Sequence, residues 1–156
     1  MRISLRILAI VAAAAAMEIV CVMPYRGNVA LREVLQRTET AQASGPQTAA
    51  VMARENLADL DRIAASRRLD PAWYMLYGTN SELLDRLPDA VDAYTRALRI
   101  DDRAELYVNR GMVLLHMQRT DAAVADLAKA TRFDPATVES LSGDVRARVT
   151  AAAGLK

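Results

Sequence analysis

A repeat with a period of 33 residues constrains this chain more than any other feature. Gly78 is matched by Gly111, and the markers around the two glycines recur at the same offset: Tyr74 with Tyr107, Ala90 with Ala123, Tyr94 with Leu127, Ala97 with Ala130 and Asp101 with Asp134. A period of this length is typical of stacked helical hairpins, because one such unit cannot bury its apolar face alone. The sequence therefore predicts an architecture of stacked helical hairpins.

Local helix signals divide each copy into two helices. Asp70-Pro71 and Asp134-Pro135 each combine an N-cap residue with a proline at the first helical position. Pro88 and Thr120-Asp121 begin the second helix of each pair. The predicted helices cover residues 71–86, 88–100, 104–118 and 120–132. No segment alternates like a strand, so we predict an all-α fold.

The spacing within each copy resembles the tetratricopeptide repeat. The first copy, residues 71–102, carries Tyr74, Tyr77-Gly78, Ser81, Ala90, Tyr94, Ala97 and Asp102; the second, residues 104–135, carries Tyr107, Arg110-Gly111, Leu114, Ala123, Leu127, Ala130 and Pro135. The resemblance implies that the glycine and the two alanines of each copy lie where paired helices approach closely, while Tyr74, Tyr94, Tyr107 and Leu127 pack between helices. The copies depart from the pattern at Arg110, Ser81 and Asp102, which replace a Leu, a Tyr and a Pro.

Sequences on both sides of the repeats supply further helices, as two repeats alone bury little continuous core. Helices are predicted at residues 28–43 and 47–67, and we interpret residues 28–68 as a degenerate helical hairpin on the first repeat. The second of these helices has an apolar stripe of Ala50, Ala53, Leu57, Leu60 and Ala64. A capping helix is predicted at residues 136–153, with Gly143 in its interior, Arg146 and Arg148 facing water, and a stripe of Val138, Leu141, Val145, Val149 and Ala152.

Residues 1–24 form a signal peptide or membrane anchor in our interpretation. Arg2 and Arg6 precede an uninterrupted apolar run at residues 7–17, and Glu18 separates that run from a second one. Cleavage after the small residues 14–16, retention as an anchor and lipidation at Cys21 remain open. In each case the basic start predicts that the rest of the chain is exported, either to the periplasm or to the non-cytoplasmic face of a membrane.

Charge and composition argue against most chemical functions. Without Arg2, Arg6 and Glu18 the chain has 18 basic and 18 acidic residues, so nucleic-acid binding is not expected; the nearest basic group, Arg99, Arg103 and Arg110, is interrupted by acidic residues. His116 is the only histidine, and we predict no catalytic residues, no cofactor and no metal. The alternative of an enzyme-linked regulatory or hydrolytic role would be supported only if His116→Ala abolished an activity.

The family resemblance implies a binding groove along the first helices of the repeats. The name predicted groove is used here for one surface and its eight residues: Met75, Thr79, Leu83, Val108, Asn109, Met112, Leu115 and His116. Ala72, Glu82 and Glu105 lie beside it. Because this surface is mostly apolar and contains Met, it favours an apolar or amphipathic helix over an acidic tail. Two questions stay open: whether Met75 and Met112 are instead buried, and whether Trp73 packs on the 47–67 helix or projects toward a partner.

These expectations combine into two functional hypotheses. The first is an exported or membrane-anchored tetratricopeptide adaptor that binds a protein segment in the predicted groove, in assembly of an envelope complex such as a pilus or secretion system. The alternative is an accessory structural subunit of a membrane protein complex, docked by its N-terminal helix. The envelope assignment is an analogy with the family alone.

Overall fold

The computed structural model describes residues 23–141 and 143–155, with side chains from residue 28 onward. This part of the chain contains no strand, and the prediction of an all-α fold is confirmed. Its α-helices are α1 (Met23–Gln42), α2 (Pro46–Ile63), α3 (Pro71–Glu82), α4 (Leu87–Leu98), α5 (Ala104–His116), α6 (Thr120–Phe133) and α7 (Gly143–Ala153). Two 3₁₀ helices, Ala64–Ser66 and Pro135–Ser140, follow α2 and α6.

Both predicted Asp-Pro caps form in the structure. The Asp70 carboxylate accepts a hydrogen bond from the Ala72 backbone N–H at 3.0 Å, and the Asp134 carboxylate accepts one from the Ala136 N–H at 3.0 Å. Each cap therefore satisfies one backbone donor that the first turn leaves unpaired. The first cap begins α3, whereas the second begins a 3₁₀ helix rather than an α-helix.

The first helix of each repeat ends earlier than predicted, and by the same device in both copies. Asp85 and Gln118 have left-handed backbone conformations, with φ of 57° and 60°. The following N–H groups, of Arg86 and Arg119, donate to the carbonyls of Ser81 and Leu114 at 2.9 and 2.8 Å. This five-residue backward bond is the Schellman motif, which terminates a helix and satisfies its last carbonyls. Helices α3 and α5 accordingly stop at Glu82 and His116.

The helices pack as successive hairpins, α1 with α2, α3 with α4, and α5 with α6, and α7 packs on α6. The first helices are neighbours, since α3 contacts both α1 and α5. Three apolar clusters join each hairpin to the next element along the stack. They consist of Val34, Leu57, Leu60, Trp73 and Leu76; of Ala90, Tyr94, Ala97, Leu106 and Val113; and of Val124, Leu127, Ala128, Leu141 and Val149.

Close helix contacts occur at the small residues of both copies. Ala90, Ala97, Ala123 and Ala130 are fully buried. A Cβ placed on Gly78 would lie 2.7 Å from Cε1 of Tyr94, and one placed on Gly111 would lie 2.9 Å from Cγ of Leu127. Each glycine therefore faces the large residue that occupies the middle of the second helix in its own copy.

Replacing Gly78 with alanine should destabilise the protein, although alanine favours a helix by about 1 kcal/mol over glycine. The Tyr94 ring is 1% exposed, and its hydroxyl lies 3.0 Å from the Thr79 hydroxyl, so the ring has no room to move away. Overpacking of this kind costs about 1–3 kcal/mol. We expect a net loss in the free energy of unfolding by urea, and little change for Gly45→Ala, where nothing lies within 4 Å of the new Cβ. Equal stabilities for the two variants would contradict the close-contact interpretation.

The prediction of one capping helix over residues 136–153 is wrong. The Pro135–Ser140 3₁₀ helix ends at Leu141, whose backbone is extended with φ of −89° and ψ of 153°. Gly143 has a φ of 59° and begins α7, so it does not lie inside a helix. Leu141 and Val149 are buried in the third cluster, but Ala152 is exposed and Ala153 packs there instead. Because the segment consists of two separate helices, its apolar residues do not form one continuous helical stripe.

Both ends of the N-terminal hairpin also differ from the prediction. Helix α1 begins at Met23 rather than residue 28, and residues 1–22 of the predicted signal or anchor lie outside the described residues. Helix α2 ends at Ile63, and its buried face includes Ala49 and Asn56 beside Ala53, Leu57 and Leu60. Among the described residues, no helix combines the length and the apolar character that membrane crossing requires.

Candidate functional site

The eight residues of the predicted groove lie on or directly after α3 and α5. On α5, Glu105, Met112 and His116 are exposed, while Val108, Asn109 and Leu115 are half-buried. These positions recur every three or four residues and so share one side of the helix. Met112 is 40% exposed, which rules out a buried position for this methionine. The α5 part of the predicted groove therefore presents a large apolar side chain to solvent.

The α3 part of the predicted groove serves packing to a larger extent. Met75 is half-buried and packs on the second apolar cluster. The Thr79 hydroxyl lies 3.1 Å from the Met75 carbonyl, to which it donates, and 3.0 Å from the Tyr94 hydroxyl. On α5, Leu115 likewise packs on the third cluster. These side chains pack beneath the surface and expose less area to a partner.

A surface depression brings three of the eight residues together. Thr79, Leu83 and His116 line it, and we call it the end cleft because it lies at the C-terminal ends of three first helices. Gln42, Glu82, Asp85 and Leu87 complete its lining. The end cleft thus combines leucine side chains with two carboxylates and an imidazole.

Glu82 carries the unusual electrostatics of the end cleft. Burial raises the pKa of the Glu82 carboxyl, and the charge of His116 opposes that shift. The cause is desolvation, which disfavours the ionised carboxylate. A cation approaching Glu82 would favour the ionised carboxylate, so this end of the predicted groove suits a segment with a basic residue beside its apolar ones.

Two of the three arginines that form the nearest basic group in the sequence pair with acidic side chains of the protein. Arg103 Nε lies 2.7 Å from Asp101, and Arg110 Nε lies 2.7 Å from Asp126. Arg110 also donates through Nη1 to the Thr95 hydroxyl at 3.0 Å, which links α5 to α4 and α6. Arg110 therefore belongs to the contacts between repeats rather than to a basic binding face. In the described part of the chain, no cluster of three His, Cys, Asp or Glu side chains could hold a metal ion.

Sequence reasoning missed a buried polar network in the N-terminal hairpin. Asn56 and Asn80 are fully buried and Thr38 nearly so. Asn56 Nδ2 donates to Asn80 Oδ1 at 2.9 Å, and Asn80 Nδ2 donates to Thr38 Oγ1 at 2.8 Å. Thr38 in turn donates to the Val34 carbonyl at 2.8 Å. These bonds join α1, α2 and α3. The only available signal was the position of both asparagines inside helices, where asparagine is a poor helix former.

Trp73 packs on α2, the first of the two alternatives that the sequence left open. Its ring is 9% exposed and lies in the first apolar cluster with Leu57 and Leu60. Its Nε1 donates a hydrogen bond to the Leu60 carbonyl at 3.0 Å. The indole therefore attaches the N-terminal hairpin to the first repeat.

Comparison with known protein families identifies the repeat. Residues 104–137, which contain α5 and α6, match the model of the tetratricopeptide repeat. No curated protein matches this chain. Domains of this family generally bind protein partners and act as interaction scaffolds. Residues 104–137 are therefore a tetratricopeptide repeat, and the preceding hairpin of α3 and α4 is built on the same 33-residue offset.

Proposed function

We propose that this protein is an adaptor that binds an apolar or amphipathic helix of another protein in the predicted groove. The observation that carries the proposal is the position of Met112, a large apolar side chain that is 40% exposed on the same side of α5 as His116. Flexible methionine side chains adapt to irregular apolar ligands. An amphipathic helix would place its apolar positions on this face in the way that helices occupy grooves elsewhere.

The predicted groove favours a partner that is amphipathic rather than wholly apolar. Its α5 side offers Met112 and Val108, whereas the end cleft adds Glu82 and Asp85 next to Leu83. An apolar stripe flanked by a basic residue would match both parts. We further propose that the chain is exported, to the periplasm or to the outer side of a membrane, because residues 1–24 resemble a signal or anchor. Assembly of an envelope complex, such as a pilus or secretion system, fits that location by family analogy.

Replacing Met112 with glutamate should abolish partner capture and leave the helical content unchanged. The charge would lie where the apolar contact is made, and a buried carboxylate without a partner is strongly unfavourable. Val51→Glu is the matched control, because Val51 is 52% exposed on α2, outside the predicted groove. The measurement is affinity purification of each tagged variant from detergent-solubilised membranes, with circular dichroism of the purified proteins.

A photo-crosslinking residue at position 112, compared with one at position 51, would identify the bound segment. We expect position 112 alone to crosslink to a segment with apolar residues at helical spacing. Equal capture by Met112→Glu and wild type would exclude the predicted groove as the binding surface.

The accessory-subunit hypothesis predicts a different dependence. Residues 1–22 precede α1 directly, so an inserted N-terminal segment would hold the helical stack beside its partners. Association would then require residues 1–22 and would tolerate Met112→Glu. A mass that starts near Met17 would exclude the accessory subunit, since docking requires the N-terminal segment. A retained N-terminus is compatible with both hypotheses, and the effect of Met112→Glu then distinguishes them.

A further inference from the structure

A second cleft lies away from the predicted groove, where α3 meets the second helices α2 and α4. Trp73, Tyr74 and Tyr77 of α3 line it, together with Asp61 of α2 and Asp89 of α4. Asp92, Ala93 and Arg96 of α4 complete the lining. We call this depression the aromatic cleft. None of its residues belongs to the predicted groove.

The three aromatic rings of the cleft form one continuous group. The Trp73 and Tyr74 ring centroids are 4.8 Å apart with the rings nearly perpendicular. The Trp73 and Tyr77 centroids are 5.2 Å apart at an interplanar angle of 31°. Tyr74 and Tyr77 are only half-buried, so parts of both rings remain open to solvent. Ring faces carry a negative electrostatic potential and attract organic cations.

The charges around these rings also favour a cation. Asp92 pairs with Arg96 at 2.9 Å, which neutralises both side chains. Asp61 and Asp89 have no ion pair among the described residues, and both are exposed at the cleft. Their charges add to burial in raising the pKa of the Tyr77 hydroxyl, and the opposing charge of Arg86 is the smallest of the four causes. Two uncompensated carboxylates therefore lie close to the Tyr77 ring.

We propose that the aromatic cleft binds an organic cation, the ammonium or guanidinium group of a lysine or arginine side chain presented by a partner protein. Half-buried rings would contact the alkyl stem and the charged head, and Asp61 and Asp89 would supply the opposite charge. This combination distinguishes the cleft from an apolar pocket, which rejects charge, and from an exposed acidic surface, which has no rings. The protein would then contact partners through two separate surfaces.

The chain contains a single tryptophan, Trp73, so its intrinsic fluorescence reports directly on the cleft. The full chain would be titrated with the N-acetyl amides of lysine and arginine and with tetramethylammonium. N-acetyl-norleucine amide is the matched neutral probe, because it keeps most of the lysine stem and lacks the ammonium group. We expect saturable fluorescence changes with the lysine and arginine amides, weakened by added salt, and no saturable change with the norleucine amide.

The matching variant is the double substitution Asp61→Asn and Asp89→Asn, which removes both unpaired charges and preserves side-chain size. We expect it to weaken binding of the lysine amide about fivefold, the scale of two partly screened charge contacts. Asp144→Asn is the control, because Asp144 is also an exposed carboxylate in the first turn of a helix and lies outside the cleft. It should titrate like the wild type.

Three results would overturn the proposal. The norleucine amide could bind as well as the lysine amide, the double variant could bind as tightly as the wild type, or tetramethylammonium could bind more tightly than both amino acid amides. The first two would exclude recognition of charge, and the third would assign the cleft to a small free cation. Capture of a partner is not needed for any of these measurements, so they are independent of the predicted groove.

Discussion

Trp73→Ala is expected to lower the free energy of unfolding by about 3–5 kcal/mol, the range for removing a large aromatic side chain from a core. The indole is 9% exposed and packs with Leu57 and Leu60 of α2. Alanine would leave a cavity between α2 and α3 and would remove the 3.0 Å hydrogen bond to the Leu60 carbonyl. The substitution would therefore weaken the contact between the N-terminal hairpin and the first repeat.

Urea unfolding followed by circular dichroism measures this loss, because the variant has no tryptophan to follow by fluorescence. Trp73→Phe is the graded control: it retains a ring and loses the N–H, so it should be intermediate between wild type and alanine. Amide hydrogen exchange should accelerate in α1 and α2 more than in α5 and α6, since each hairpin depends on its neighbour. A loss below about 1 kcal/mol, the level of an average substitution, would mean that the hairpin is held by other contacts.

Asp126→Ala is expected to cost about 2–4 kcal/mol, somewhat less than the 3–5 kcal/mol typical of a fully buried ion pair. Arg110 donates to both carboxylate oxygens of Asp126, through Nε at 2.7 Å and Nη2 at 2.8 Å. The two side chains are 20% and 11% exposed. Hydrogen bonding to Asp126 is the largest cause of the raised pKa of Arg110. Alanine would leave the guanidinium charged, since arginine cannot deprotonate in proteins, and largely out of water.

A double-mutant cycle separates the pair from its surroundings. Arg110→Leu introduces the apolar residue usual at this position of the repeat and leaves Asp126 without its partner. The double variant with Asp126→Ala leaves no unpaired charge. We expect the double variant to unfold within about 1 kcal/mol of the wild type, because replacing a buried ion pair by apolar residues is often nearly neutral. Asp92→Ala breaks a pair whose side chains are 62% and 55% exposed and should cost less than about 0.5 kcal/mol. Similar losses for Asp126→Ala and Asp92→Ala would show that the burial of Arg110 has no energetic consequence.

The predicted groove illustrates how far sequence reasoning reached into the site. It placed Met75 and Met112 on one apolar surface, but Met112 is exposed and Met75 packs on the second cluster. Met75 contacts a cluster formed by residues of α4 and α5, the two helices that follow α3. Thr79 and Met112 are the residues that occupy the same repeat position, yet Thr79 is half-buried and Met112 is exposed, so equivalent positions need not be equally exposed.

The aromatic cleft and the buried polar network lay beyond sequence reasoning for a related reason. Asp61 and Asp89 are distant in the chain and meet only because α2 and α4 flank α3. Asn56 and Asn80 are fully buried, yet asparagine is ordinarily a residue of turns and caps. Their burial becomes favourable only when each amide finds the other and Thr38. Neither arrangement leaves a periodic trace in the sequence.

The sequence by itself determined the repeat period, the pairing of helices and the small residues at close contacts. These features are local or periodic: an Asp-Pro cap and a glycine facing a large residue in its own hairpin require no knowledge of distant segments. The tertiary structure alone decided which polar and apolar side chains face solvent and which partners the buried asparagines find. Those outcomes depend on the space and hydrogen-bonding partners that neighbouring hairpins supply, and such neighbours exist only after the helices have stacked.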